Sequence, residues 1–102
     1  MTSSEGTVTK ELPVPDSEDL IVLLDPERRP PGVEAGHPFP NILRIGRSGD
    51  VLWRCALLPQ ETAWKCYLSV DWEGEKLVAA APSYRVILDP ASGAIIDSEF
   101  TK

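Results

Sequence analysis

Two cysteines, one histidine and a few clustered carboxylates are the side chains of this chain able to do covalent or proton-transfer chemistry. Cys55 or Cys66 with the lone histidine, His37, has the composition of a thiolate–imidazole nucleophile pair. The alternation of residues around both cysteines, however, turns them to an apolar face, where a thiolate is disfavoured. Two cysteines without a nearby histidine pair do not make a zinc site. Set opposite each other across a hairpin, they would come close enough for a strained disulfide, or would simply fill a core as small apolar side chains. Asp71, Glu73 and Glu75 surround one expected hairpin tip, with Glu61 at the far end of the same strand. Acid–base work needs one such carboxyl raised by burial, and a hairpin tip is wet. No glycine-rich phosphate loop, Gly-x-Ser-x-Gly elbow or His-x-x-x-His pair is present. A catalyst is therefore not expected, and the residues call for no cofactor or metal.

Binding is the better use of the remaining side chains. Trp53, Trp64 and Trp72 fall on the same expected core face, and Trp64 and Trp72 close the two ends of one strand, where a rim tryptophan could stack on a sugar. Tyr67 falls on the polar face opposite Arg54, a cation–aromatic pair of the kind found at protein interfaces. His37 lies between Gly36 and Pro38 in a long loop. The candidate binding residues are thus Arg54, Tyr67, Trp64, Trp72 and His37.

The elements that must hold these residues are strands. Val8, Leu12 and Val14 share one parity and predict a first strand, made an edge by Pro13 and Pro15. Leu20–Leu24 is apolar at every position and predicts a strand covered on both sides. The proline-rich loop at 25–40 holds five prolines and two glycines, so no regular element survives there. From Asn41 the pattern predicts one unbroken meander. With Pro59-Gln60-Glu61-Thr62 as a hairpin loop, Leu57 faces Trp64, Cys55 faces Cys66, Trp53 faces Leu68 and Val51 faces Val70, all apolar. The other face carries Leu52, Arg54, Ala56, Lys65, Tyr67 and Ser69, mostly polar. A Gly74-Glu75 turn of type II′ then sets Glu73 against Lys76 and continues the apolar face through Trp72, Leu77, Ala79 and Ala81. The last hairpin, Tyr84–Asp89 with Ala94–Phe100, is apolar on both faces and predicts cover on both.

One unit recurs. Ile42–Trp53 and Val86–Asp97 superpose 44 residues apart with their Ser-Gly pairs aligned, a spacing typical of four-stranded propeller blades. The segment Arg85-Val86-Ile87-Leu88-Asp89-Pro90-Ala91-Ser92-Gly93-Ala94-Ile95-Ile96 resembles the loop-and-strand motif of quinoprotein-like β-propeller blades, and Gly46–Arg54 resembles it too, tryptophan included. Small uncharacterised bacterial proteins with an Asp-Pro-x-x-Gly hairpin near the C-terminus are similar as well. The resemblance implies blade-like sheet geometry. It does not bring quinone binding, because such a site is built from many blades and this chain has room for two at most. In the second unit, Asp97 stands where the first has Trp53.

The expected fold is all-β: an antiparallel meander of about seven or eight strands in two blade-like sheets, packed as a small sandwich or flattened barrel. The chain of 102 residues makes a single domain, 1–102. A net charge of −6, from 16 acidic against 10 basic residues, excludes nucleic acid and anionic membrane as main partners. The opening residues, Met1–Gly6, show no leader pattern and no apolar run approaches a membrane span, so a cytoplasmic protein with reduced cysteines is expected. The leading functional expectation is a non-catalytic acidic protein-interaction module, of the immunity or inhibitor kind, for a basic partner. The alternative is a small β-type carbohydrate or small-molecule binding domain. A homodimer through Ile87, Ile95 and Phe100 is expected only if the strands before residue 25 fail to cover the sheet.

Overall fold

The computed structural model describes residues 2–3, 6–29, 38–58 and 66–101. Nine strands occur among them, all paired antiparallel, and no helix. The first sheet runs in the order β1 (Thr2–Ser3), β2 (Gly6–Pro13), β3 (Leu20–Leu24), β4 (Ile42–Ile45), β5 (Val51–Arg54). The second runs β6 (Ser69–Glu73), β7 (Lys76–Ala80), β8 (Tyr84–Leu88), β9 (Ile95–Phe100). The molecule measures 34 × 33 × 18 Å. Its thin dimension suits two sheets stacked about 10 Å apart with their side chains, so it is a sandwich and not a closed barrel.

The β3 segment is buried on both faces because the chain builds a layer over each. Ile21 and Leu23 point into the main core with Ile42, Trp53, Val70, Leu77, Val86 and Leu88. Val22 and Leu24 point the other way, into a second cluster with Leu43, Phe39 and Cys66. The short stretches preceding β4 and leading into β6 thus roof the outer face of the first sheet. Phe39 is itself covered by the Arg29 guanidinium, 5.3 Å from its ring centroid.

Four expectations need correction. The meander from Asn41 is broken: β5 pairs with β4 and β6 with β7, so Trp53 does not face Leu68 and Val51 does not face Val70. Cys55 and Cys66 form no disulfide and lie in different core clusters, not as a cross-strand pair. At the break the expected parity fails, with Tyr67 buried and Leu68 47% exposed, and from Ser69 onward it holds. The expected hairpin loop 59–62 and Trp64 lie outside the described residues. A register shift between Val8 and Lys10 also divides the first strand, sending Val8 to the second cluster and Leu12 and Val14 to the first.

The break has a physical cause in Asn41, the one buried polar side chain among the described residues. Its Nδ2 donates to Leu24 O at 2.9 Å and Tyr67 O at 2.7 Å, while its Oδ1 accepts the Tyr67 N–H at 2.7 Å. One amide therefore does for Tyr67 what a neighbouring strand would do, and satisfies a buried backbone without a ladder.

Two tryptophans join the sheets at their rims. Trp53 Nε1 donates to Pro90 O at 2.8 Å, where the carbonyl also accepts from Arg44 Nη1 at 2.8 Å. Arg44 is held in turn by Asp19 at 2.7 Å, and Ala56 N donates to Gly93 O at 2.9 Å. Along β2 and β6, Trp72 Nε1 donates to Pro13 O at 3.0 Å and Lys10 Nζ meets Asp71 at 2.6 Å. Each indole thus reaches a prolyl carbonyl of the opposite sheet. The two recurrent hairpins are β4–β5 and β8–β9, one in each sheet, and their aligned glycines, Gly49 and Gly93, both adopt positive φ.

Candidate functional site

The second sheet has one face on the core and the other open, and strand pairing decides which side chains share the open face. Two cross-strand rows cross it: Asp71–Val78–Ile87–Asp97 and Ser69–Ala80–Arg85–Glu99. Glu73 and Lys76 form a shorter row beside the Gly74 turn, whose φ of +63° places glycine where a type II′ turn needs it. Arg85 reaches back across the sheet to ion-pair with Glu73. The small side chains of Ala80 and Ser69 leave a hollow of about 280 Å³, bordered by Asp71, Glu73, Arg85 and Tyr84. Ligand pockets run roughly 300–1,000 Å³, so this hollow is at the small end even for a monosaccharide.

Beside it lies β9, the outermost strand of its sheet. Thr101 N–H donates to Ser83 O at 3.0 Å. By alternation from Thr101 the backbones of Glu99 and Asp97 also face β8, while those of Ser98 and Phe100 face outward; a register shift between Ile87 and Leu88 leaves Ile96 as an extra residue in a bulge at the start of the strand. Ile96 and Phe100 are 63% and 61% exposed, and Phe100 sets its ring edge-on against Tyr84, 5.4 Å between centroids. Neither Asp97 nor Glu99 has an ion-pair partner among the described residues. The outward Ser98 N–H is occupied only by Asp97 Oδ1, at 2.8 Å. The expectation that the last hairpin is covered on both faces is therefore not met: Val86 and Leu88, which share the core face, are fully buried, whereas β9 is exposed from Ile96 to Phe100.

The residues singled out in the sequence do not gather here. Tyr67, expected on a polar face against Arg54, is buried, and its hydroxyl donates to Ala56 O at 2.7 Å. Arg54 is exposed on β5, opposite Leu43. Trp72 is half-buried, and its indole N–H is committed to Pro13. His37 and Trp64 lie outside the described residues. An expected pairing with Arg54 points to Tyr67 and a place at a strand end points to Trp72 as binders, whereas their polar ends bond backbone carbonyls of Ala56 and Pro13. The acidic pair on β9 was visible in the sequence, but its position at an open edge is a matter of topology.

The thiols do not compensate. Burial pushes the Cys55 thiol up to about 12, outweighing hydrogen bonds to the backbone of Ile42 and of Cys55 itself. It stays protonated at neutral pH and is no nucleophile. Burial raises the Tyr67 hydroxyl as well. No group of three or more His, Cys, Asp or Glu side chains able to hold a metal occurs among the described residues.

A family model matches residues 12–100, a span that includes β3 to β9. The chain belongs to the family described as Domain of unknown function (DUF7957). That DUF7957 match carries no activity and says nothing of propeller blades. No curated protein and no solved structure matches. No helix among the described residues is long and apolar enough to cross a membrane.

Proposed function

We propose that this protein is a non-catalytic, acidic interaction module that covers a basic surface on another protein, in the manner of an immunity or inhibitor protein. The observation that carries this reading is the open side of the second sheet. On its outermost strand Asp97 and Glu99 stand exposed with no ion-pair partner among the described residues, and Ile96 and Phe100 of the same strand are exposed apolar side chains. Charged groups flanked by apolar anchors make a surface that both steers and holds a partner. A net charge of −6 adds long-range attraction for a basic protein and repulsion for nucleic acid. The absence of nucleophilic, metal-binding or phosphate-binding motifs in the sequence leaves such a surface as the feature with most to offer.

Immobilised protein, challenged with a lysate of its native host, tests the reading against a D97K/E99K variant. A basic protein held by the native chain, eluted by salt and absent from the variant is the expected result. Recovery of the same proteins on both, or of none, overturns it. The small-molecule alternative rests on the hollow beside Tyr84 and Arg85, and its size favours at most a fragment-sized ligand. Calorimetric titration with monosaccharides checks it, and heat that an A80L substitution in the hollow abolishes would support it.

A further inference from the structure

We propose that β9 is a docking edge for an extended basic segment of the partner, which adds to the second sheet as a fifth, antiparallel strand. This rests on the interaction-module reading above and names how the partner is held. The outward backbone groups of Ser98 and Phe100 are those an added strand would bond. Asp97 and Glu99 alternate with them. In the added ladder they occupy the non-hydrogen-bonded sites, where Cα atoms approach to about 4.5 Å and facing side chains are closest. Carboxylates there select lysine or arginine opposite. Ser98 and Phe100 look toward the other side, so the partner residues facing them are small and apolar. The segment that fits reads apolar–basic–small–basic.

Charge also decides against a second copy of this chain as the occupant. Antiparallel self-pairing centred on Ser98 matches Ile96 with Phe100 of the other copy, which is favourable. The same register sets Asp97 against Glu99 twice, at the close sites, and like charges directly opposite are destabilising. A one-residue shift sets outward backbone groups against inward ones, and a two-residue shift sets Asp97 or Glu99 against its own copy. The edge is thus poor at pairing with itself and suited to a basic strand. The Asp97 carboxylate, resting on the Ser98 N–H at 2.8 Å, occupies the edge until a partner backbone replaces it.

The test uses three peptides with the full protein: one with the core Val-Lys-Thr-Lys-Val, one with Val-Glu-Thr-Glu-Val, and a scramble of the first with its lysines adjacent. Amide hydrogen exchange is read residue by residue. The lysine peptide is expected to slow exchange at least tenfold at Ser98 and Phe100, while Asp97 and Glu99, which face β8, change little. D97K/E99K should lose that protection and gain it with the glutamate peptide. D97K alone should turn the protein into a dimer by light scattering, because each introduced lysine then faces Glu99 of the other copy. If the lysine peptide and its scramble bind equally, with salt sensitivity but no alternating protection, strand addition is overturned and the basic-partner reading stands. If the lysine and glutamate peptides protect alike, the edge accepts strands without regard to charge and the basic-partner reading falls. Protection by neither peptide overturns both.

Discussion

Replacing Gly93 by alanine tests whether the turn between β8 and β9 is a joint between the two sheets. Gly93 has φ of +77°, and a Cβ there would lie 2.5, 2.8 and 3.0 Å from three atoms of the Trp53 ring. Two costs follow. A left-handed conformation costs a non-glycine residue roughly 1–2 kcal/mol. The ring must also move, and it is buried, with its N–H on Pro90 O. Overpacking a filled site costs about 1–3 kcal/mol, and the lost hydrogen bond adds about 1. The sum is roughly 3–6 kcal/mol, a large share of the 5–15 kcal/mol that holds an ordinary domain together.

Gly49 supplies the control, because it is the counterpart of Gly93 in the other recurrent hairpin. Its φ is +91°, but nothing lies within 4 Å of where a Cβ would be. G49A therefore bears only the first cost, about 1–2 kcal/mol. Thermal unfolding followed by circular dichroism reads the difference. In a chain of this size 1 kcal/mol moves Tm by about 4–8 °C, so G93A should melt at least 10 °C below G49A. The double variant G93A/W53A isolates the contact: with the ring removed, G93A should add no more than G49A does. Equal effects of G93A and G49A in the native background would refute the claim that Trp53 is clamped against this turn.

Three further outcomes are expected. Asn41→Leu leaves the Leu24 carbonyl and the Tyr67 N–H and carbonyl without the partner they have now. At about 1–3 kcal/mol for each orphaned group, urea unfolding should show a loss of at least 3 kcal/mol, and hydrogen exchange at Tyr67 should accelerate more than at its neighbours; an unchanged midpoint would refute the bridge. Burial raises the Cys55 thiol from 9.0 to about 12 in the folded chain, so the folded state holds its proton more tightly than the unfolded state. That contribution is complete below about pH 9 and is lost as pH rises towards 12, a decline that Cys55→Ala should flatten in pH-dependent unfolding; Tyr67 acts in the same direction at higher pH. Because β2 and β3 supply a layer over the shared core, light scattering should report a monomer of 11.2 kDa, and a dimer would return Ile87, Ile95 and Phe100 to the interface.

Where a residue's fate depends on its near neighbours, it was legible in the sequence. Leu20–Leu24 has no polar position, so it had to be covered twice, and it is. The Gly74 turn, the Glu73–Lys76 pair and the inward row of Leu77, Ala79 and Ala81 follow from alternation and turn chemistry across a tight hairpin. Illegible residues depend on distant ones. Alternation runs smoothly through Cys55–Leu57 and again from Cys66, so it cannot show that the chain leaves one sheet and enters the other. What makes the crossing stable is the side chain of Asn41, a residue whose type says only that a turn or cap is near. The same holds for Trp72 and Tyr67: their aromatic bodies signal burial or binding equally, and only long-range carbonyls, of Pro13 and Ala56, decide for structure.

Acidic residues on an open edge have a second physical explanation, since charge on an outer strand keeps sheets from joining edge to edge. Protection accounts for Asp97 and Glu99, which spoil the self-pairing register centred on Ser98. It does not account for Ile96 and Phe100. Exposed at 63% and 61% on the same strand, they add the apolar contact that protective charge is meant to deny, and polar side chains there would guard the edge better. Phe100 is also held in place by Tyr84, so its ring is ordered before any partner arrives and loses less entropy on contact. An edge that repels its own copy while presenting a fixed aromatic beside two uncompensated carboxylates discriminates between partners. Recognition of a basic strand explains all four side chains together, and protection explains two.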